Sequence, residues 1–193
     1  MILVASIAAC AATVIAMAQG VLAASFFVSG QEFRVSNDTL IARGVSIYGM
    51  VDVTRKRKLV PVMVTGTRHA TIRGLCQSVL VDIPVLGPYT MRFTGGRERP
   101  VEASNLFIDA TNETTDNAEF RSLDIGVAQG DITEGPINPG DRNSKFFDPD
   151  GVGQQAESAP LTNVHWTAVA VSAGTFNVPG LRAQLKPGRH ECF

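Results

Sequence analysis

Residues 40–66 read LIARGVSIYGMVDVTRKRKLVPVMVTG. Apolar and polar side chains alternate up to Thr54, four basic residues follow at 55–58, and a valine-rich run returns as far as Gly66. Period-two alternation on both sides of a polar break is the pattern of a β-hairpin. The cluster Arg55–Lys58 is then the solvated turn of that hairpin rather than a patch for anions. Pro61 cannot donate to a ladder, so the returning strand begins near it or runs along a sheet edge there.

The same texture continues on both sides. From Gln31 onward no 3.6-residue period persists, and short β-type runs recur at 70–84, 89–96, 101–113, 118–128 and 161–186. Glycine (18) and proline (10) punctuate them, and only 18% of residues are charged, which suits a turn-rich β protein. The expected fold is mainly β: an antiparallel sandwich, barrel or curled elongated sheet, preceded by one N-terminal hydrophobic helix. A loose echo links ATIRGLCQSV (70–79), AEFRSLDIGV (118–127) and GTFNVPGLRAQL (174–185). Its unequal spacing excludes a fixed-period solenoid, leaving repeated strand–kink–strand units or a generic β pattern.

The first charge in the chain is Glu32. Residues 1–28 form a hydrophobic segment, and 29–193 a β-rich domain placed outside the cytoplasm. As a signal peptide, the segment has an apolar stretch from Ile2 to Ile15 and small-residue exits at Ala16-Met17-Ala18 and Val21-Leu22-Ala23. As a membrane helix, it reaches the ~20 residues needed to span a bilayer. Either way the protein leaves the cytoplasm, anchored by its N-terminal helix or secreted after cleavage. Cys10, in IAAC, matches the residues before a lipidated cysteine, but apolar chain continues past it, and a small residue in an apolar helix explains it as well. In an exported chain Cys76 and Cys192 are expected to form a disulfide.

Net charge is −1, aromatics are 7% and there is one tryptophan, so neither a basic field nor base-stacking platforms point to nucleic acid. About residues 134–157 the pattern lapses into a long irregular loop. Within it Phe146 and Phe147 are candidates for lipid or subunit contact, as are Phe26 and Phe27 before the domain. The string Asp148-Pro149-Asp150-Gly151 offers Asp148 and Asp150 as weak calcium ligands, but a β-turn explains it without an ion.

No hydrolase elbow, HExxH, phosphate loop or dinucleotide fingerprint is present. The nearest string to an elbow is GVSIYG, Gly44–Gly49, with one residue too many. His69, His165 and His190 stand in no context that marks a general base. No catalytic residue, cofactor or metal is therefore assigned.

The landmarks MAQGVLAASFFVSGQEFRVS, LCQSV, NLFIDAT, EFRSLDIGVAQGDIT, GVGQQAES and GTFNVPGL…ECF, in this order, resemble a family of small exported proteins from Streptomyces-like actinobacteria. Members are often labelled "cholesterol esterase", although the family has no established function. The resemblance implies a hydrophobic N-terminal segment, a β-rich extracytoplasmic domain and paired cysteines. This chain departs from it in lacking basic residues ahead of the apolar segment.

Two functions stay open. One is a non-enzymatic, membrane-associated β-domain that forms homo-oligomers or binds lipid at the cell envelope, because an apolar sheet face needs a helix, another sheet, a partner or lipid to cover it. The other is a lipid ester hydrolase with Ser46 or Ser78 as nucleophile.

Overall fold

A computed structural model describes residues 28–193. The readings that fall on residues 1–27, including the N-terminal helix, Cys10, Phe26 and Phe27, lie outside the described residues. Val28, the last residue of the apolar segment, already belongs to the folded body: its N–H donates to the Val53 carbonyl at 3.2 Å and it bridges to Thr54.

The quoted stretch is the hairpin its pattern calls for. Strand β1 (Phe33–Val53) turns at 54–58 into β2 (Leu59–Arg73), and the two pair antiparallel from Val53↔Leu59 to Thr39↔Arg73. The Thr54 hydroxyl accepts from the Lys58 N–H at 2.9 Å, which closes the turn and leaves the basic side chains in solvent. Pro61 pairs with Val51, while the second neighbour of β2 engages only from Met63 onward, so Pro61 stands on a free edge.

The chain continues as β3 (Leu75–Ile83), β4 (Gly87–Gly95), β5 (Val101–Thr114), β6 (Asn117–Ala118), β7 (Asp124–Ala128), a 3-10 turn (Gln129–Asp131), the short helix α1 (Pro139–Arg142), β8 (Val152–Ser172), β9 (Thr175–Asn177) and β10 (Arg182–Pro187). All pairings between strands are antiparallel. Because β1 pairs with β2, β2 with β5, β5 with β8, and β8 again with β1, the sheet closes on itself. Of the three sheet forms open to the sequence, the described residues adopt a closed ring. Strands β3, β4 and β10 extend it as a three-stranded arm.

The strands bend where the backbone turns left-handed. The three echoed segments each carry a positive-φ residue just before a leucine: Gly74 (+69°) between β2 and β3, Ser122 (+52°) between β6 and β7, and Gly180 (+67°) between β9 and β10. Strand–kink–strand is therefore what these segments form. At Gly74 the left-handed backbone favours glycine, and a Cβ there would also press on the end of the Asp38 side chain.

Gly44 (φ +64°) exchanges the faces of β1. Leu40 and Ala42 precede it and pack into the ring interior with Ala70, Ile72, Leu106, Ile108, Val164 and Trp166. Tyr48 and Met50 follow it and join a second cluster with Val62, Val64, Phe107 and Val169. Consecutive residues Leu106, Phe107 and Ile108 divide between the clusters, so β5 is buried on both faces.

What covers the second face is the chain's own irregular segment. Ile132 and Ile137 complete that cluster, with Phe146 and Phe147 packed against it and the Phe147 ring edge-on to Tyr48 at 6.3 Å. The segment is shorter than its sequence pattern indicates: residues up to 151 are irregular, but 152–157 already belong to β8. Gln154 and Gln155 mask that strand in the sequence, although they pair in register with Ile47 and Ser46.

Cys76 and Cys192 are disulfide-bonded, with Cα atoms 5.9 Å apart. The bond fastens the C-terminal tail across β3, where the Cys192 N–H also donates to Ser78 Oγ at 2.9 Å. Phe193 stacks on His165 at 4.4 Å, with the Arg34 guanidinium 5.2 Å from its ring centre.

Candidate functional site

A cleft of about 470 Å³ enters the ring interior beside the start of β1. That is within the roughly 300–1,000 Å³ usual for small-molecule sites. Alternation builds its walls: Phe33, Val35 and Asn37 point inward from β1, Ile72 and Leu75 flank the Gly74 kink, and Trp166 rises from β8. Ser29 and Gln77 add polar groups, and no lining residue is charged. The chain's single tryptophan is thus part of the wall.

Inside this apolar wall two residues carry buried polar groups without a partner among the described residues, the Asn37 amide and the Trp166 indole N–H. Asn37 is 3% exposed, and among the described residues neither its Oδ1 nor its Nδ2 has a hydrogen-bond partner. Buried amides are almost always paired, and leaving one unpaired costs about 1–3 kcal/mol.

A second polar group lies under the irregular segment. The Tyr48 hydroxyl donates to Asp141 Oδ2 at 2.7 Å and accepts from the Asn138 N–H at 3.1 Å. Asp52 and Asp109 titrate in the same field, and among the described residues each has a buried carboxylate oxygen without a partner. Burial, with the charges of Asp52 and Asp141, pushes the Asp109 carboxyl up to about 8. Burial and then Asp141 push Asp52 up to about 6. Burial also raises Asp141, which the Tyr48 hydroxyl partly offsets, and burial with Asp141 raises Tyr48 itself. Burial thus holds the proton on each of these carboxyls to a higher pH than on a free aspartate, and Asn138 caps α1 through its side chain, which accepts from the Gly140 N–H at 3.0 Å. Among the described residues no group of histidine, cysteine, aspartate and glutamate is arranged to hold a metal ion.

The residues singled out from sequence are dispersed. Ser46 is wholly buried, and its hydroxyl donates to the Pro136 carbonyl at 2.5 Å. Ser78 is wholly buried and receives the Cys192 N–H. His69 lies exposed on β2, His165 stacks on Phe193, and His190 Nε2 lies 3.1 Å from the Pro187 carbonyl. None of these histidines is hydrogen-bonded to either serine. Phe146 and Phe147 pack under the irregular segment, half-buried. Asp148 Oδ1 accepts from the Asp150 N–H at 3.1 Å, a local turn contact.

The family model that matches the chain spans residues 29–193, which takes in the carboxyl group and all of the cleft lining but Val28. It describes a family of unknown function, DUF6230. The chain belongs to DUF6230. No curated protein and no solved structure matches it.

Sequence reasoning passed over Asn37, Asp109 and Trp166 as site residues of this DUF6230 domain. The available signals were a carboxylate inside the apolar run NLFIDA (105–110) and an amide in the period-two series Phe33, Val35, Asn37. Neither shows which face is inward until the ring closes.

Proposed function

We propose that this chain is a non-enzymatic, extracytoplasmic protein that binds lipid in the cleft between β1, β5 and β8 and works at the cell envelope, held there by its N-terminal segment or released after cleavage. The observation that carries this reading is the uncharged, aromatic-walled cleft with an unpaired amide inside it. The disulfide supports an oxidising compartment outside the cytoplasm. Among the described residues no helix is long and apolar enough to cross a membrane, so anchoring would fall to the preceding segment. The turn between β3 and β4 supports contact with an apolar surface, since Val85 is fully exposed and Leu86 largely so.

Native mass spectrometry of the protein purified from its own envelope tests the proposal. Bound lipid or a lipid-bridged homo-oligomer is expected, and a lipid-free, monodisperse monomer that takes up no lipid from added vesicles would exclude it. The ester-hydrolase reading ranks second, because Ser46 and Ser78 are both buried and already hydrogen-bonded. Covalent labelling of either serine by a fluorophosphonate would reverse that order.

A further inference from the structure

We infer that the cleft selects a neutral ligand whose apolar body carries one head able both to donate and to accept a hydrogen bond, and that Asn37 reads this head. The inference rests on the cleft being the ligand site proposed above, and names its ligand class.

Asn37 presents a carbonyl oxygen and an NH2 group, neither of them paired, from a side chain 3% exposed in the cleft wall. None of the residues around it on the wall (Val35, Leu75, Leu106, Trp166) is hydrogen-bonded to it, the Trp166 indole N–H being itself unpaired among the described residues. A hydroxyl supplies both a donor and an acceptor, as does an undissociated acid or a primary amide. An ether or ester oxygen satisfies only the NH2 and leaves Oδ1 bare. An ionised head fits worse still, because no lining residue carries a countercharge and a buried unpaired ion costs far more than an unpaired amide. The other polar groups of the wall are placed differently. Ser29 is exposed and Gln77 only half-buried, so they belong to the mouth, and the ligand's head goes inward while its apolar body lies between Phe33, Ile72 and Ile108.

Trp166 provides the readout, being the only tryptophan and part of the wall. Its fluorescence is titrated in the full chain with 1-octanol, with 1-methoxyheptane as an ether of equal length, and with octylammonium. Octanol is expected to bind tightest, by about tenfold over the ether, the size of one unpaired buried polar group, with octylammonium weakest. Asn37→Leu is expected to abolish the preference for octanol over the ether while both still bind. Equal binding of octanol and ether by the wild type, or tightest binding of octylammonium, would overturn the inference and leave the cleft as a lipid site. The same holds if the preference survives in Asn37→Leu, which would mean that another polar group of the wall reads the hydroxyl. Failure of all three probes to bind would instead remove the cleft reading itself. The wild-type ranking decides the matter even if Asn37→Leu does not fold.

Discussion

The hydroxyl of Tyr48, on β1, donates to Asp141 Oδ2, in the first turn of α1, across 2.7 Å. The two residues are 93 apart in sequence, and this contact, with the Asn138 N–H at 3.1 Å on the same oxygen, fixes the irregular segment to the outer face of the ring. Tyr48→Phe keeps the ring against Phe147 but strands both partners. A loss of about 1–3 kcal/mol is expected, with faster hydrogen exchange at 132–147 than in β5. Unchanged exchange there would show that apolar packing alone holds the segment.

Asp109 should make the protein more stable in acid than in base. Its folded carboxyl is pushed up to about 8 from an ordinary 3.8, so between those values the folded state holds a proton that the unfolded chain releases. The stabilisation is complete below about pH 4 and is lost as pH rises through about 8. Asp52 adds to this slope, as does Glu113, which burial raises. Urea midpoints across that range should fall with pH, and Asp109→Asn should flatten the fall. A midpoint that rises with pH would refute the assignment.

Removing the disulfide should loosen the tail before the ring. Its cysteines are 116 residues apart. Loss of a bond closing so long a loop costs about 2–5 kcal/mol. The double variant Cys76→Ala, Cys192→Ala should lower the thermal midpoint and expose residues 188–193 to carboxypeptidase. A tail that stays protected would assign its anchoring to Phe193 on His165 and Arg34.

Gly74→Ala combines a left-handed backbone with a Cβ 2.1 Å from Asp38 Oδ2. The backbone term alone costs about 1–2 kcal/mol, and the clash adds to it. Pairing it with Asp38→Ala should recover the steric part, measured as non-additivity in a double-mutant cycle.

Val85 carries the opposite expectation. The Leu86 N–H donates to the Ile83 carbonyl at 3.1 Å, and Val85 sits at φ +74° in the turn position that glycine favours. Val85→Gly should raise stability by about 1 kcal/mol, the strain of a β-branched residue there less the entropy that glycine loses. A lower thermal midpoint would mean that the entropy glycine loses outweighs the strain relieved.

The hairpin at 40–66, the exposed basic turn, the edge at Pro61 and the pairing of the cysteines were legible because each follows from local alternation, from proline's missing donor, or from counting. The strand at 152–157 was not, because its polar residues are satisfied by register with β1 rather than by an apolar face of their own. The cover for the second sheet face was expected from another sheet, a partner or lipid. The irregular segment supplies it instead, through Ile132, Ile137, Phe146 and Phe147, and local pattern does not reveal where a long loop lands.

By itself the sequence determined the β class and antiparallel hairpin geometry, since a two-residue period admits no other backbone that buries those side chains together. It left open whether the echoed segments kink, and the left-handed backbone at Gly74, Ser122 and Gly180 decided that they do. Only the closing of β8 onto β1 decided which of the alternating residues face inward. That closure turned Asn37 into an unpaired amide in an apolar cleft and pushed the Asp109 carboxyl upward, because burial and the loss of partners come from the arrangement of strands in space.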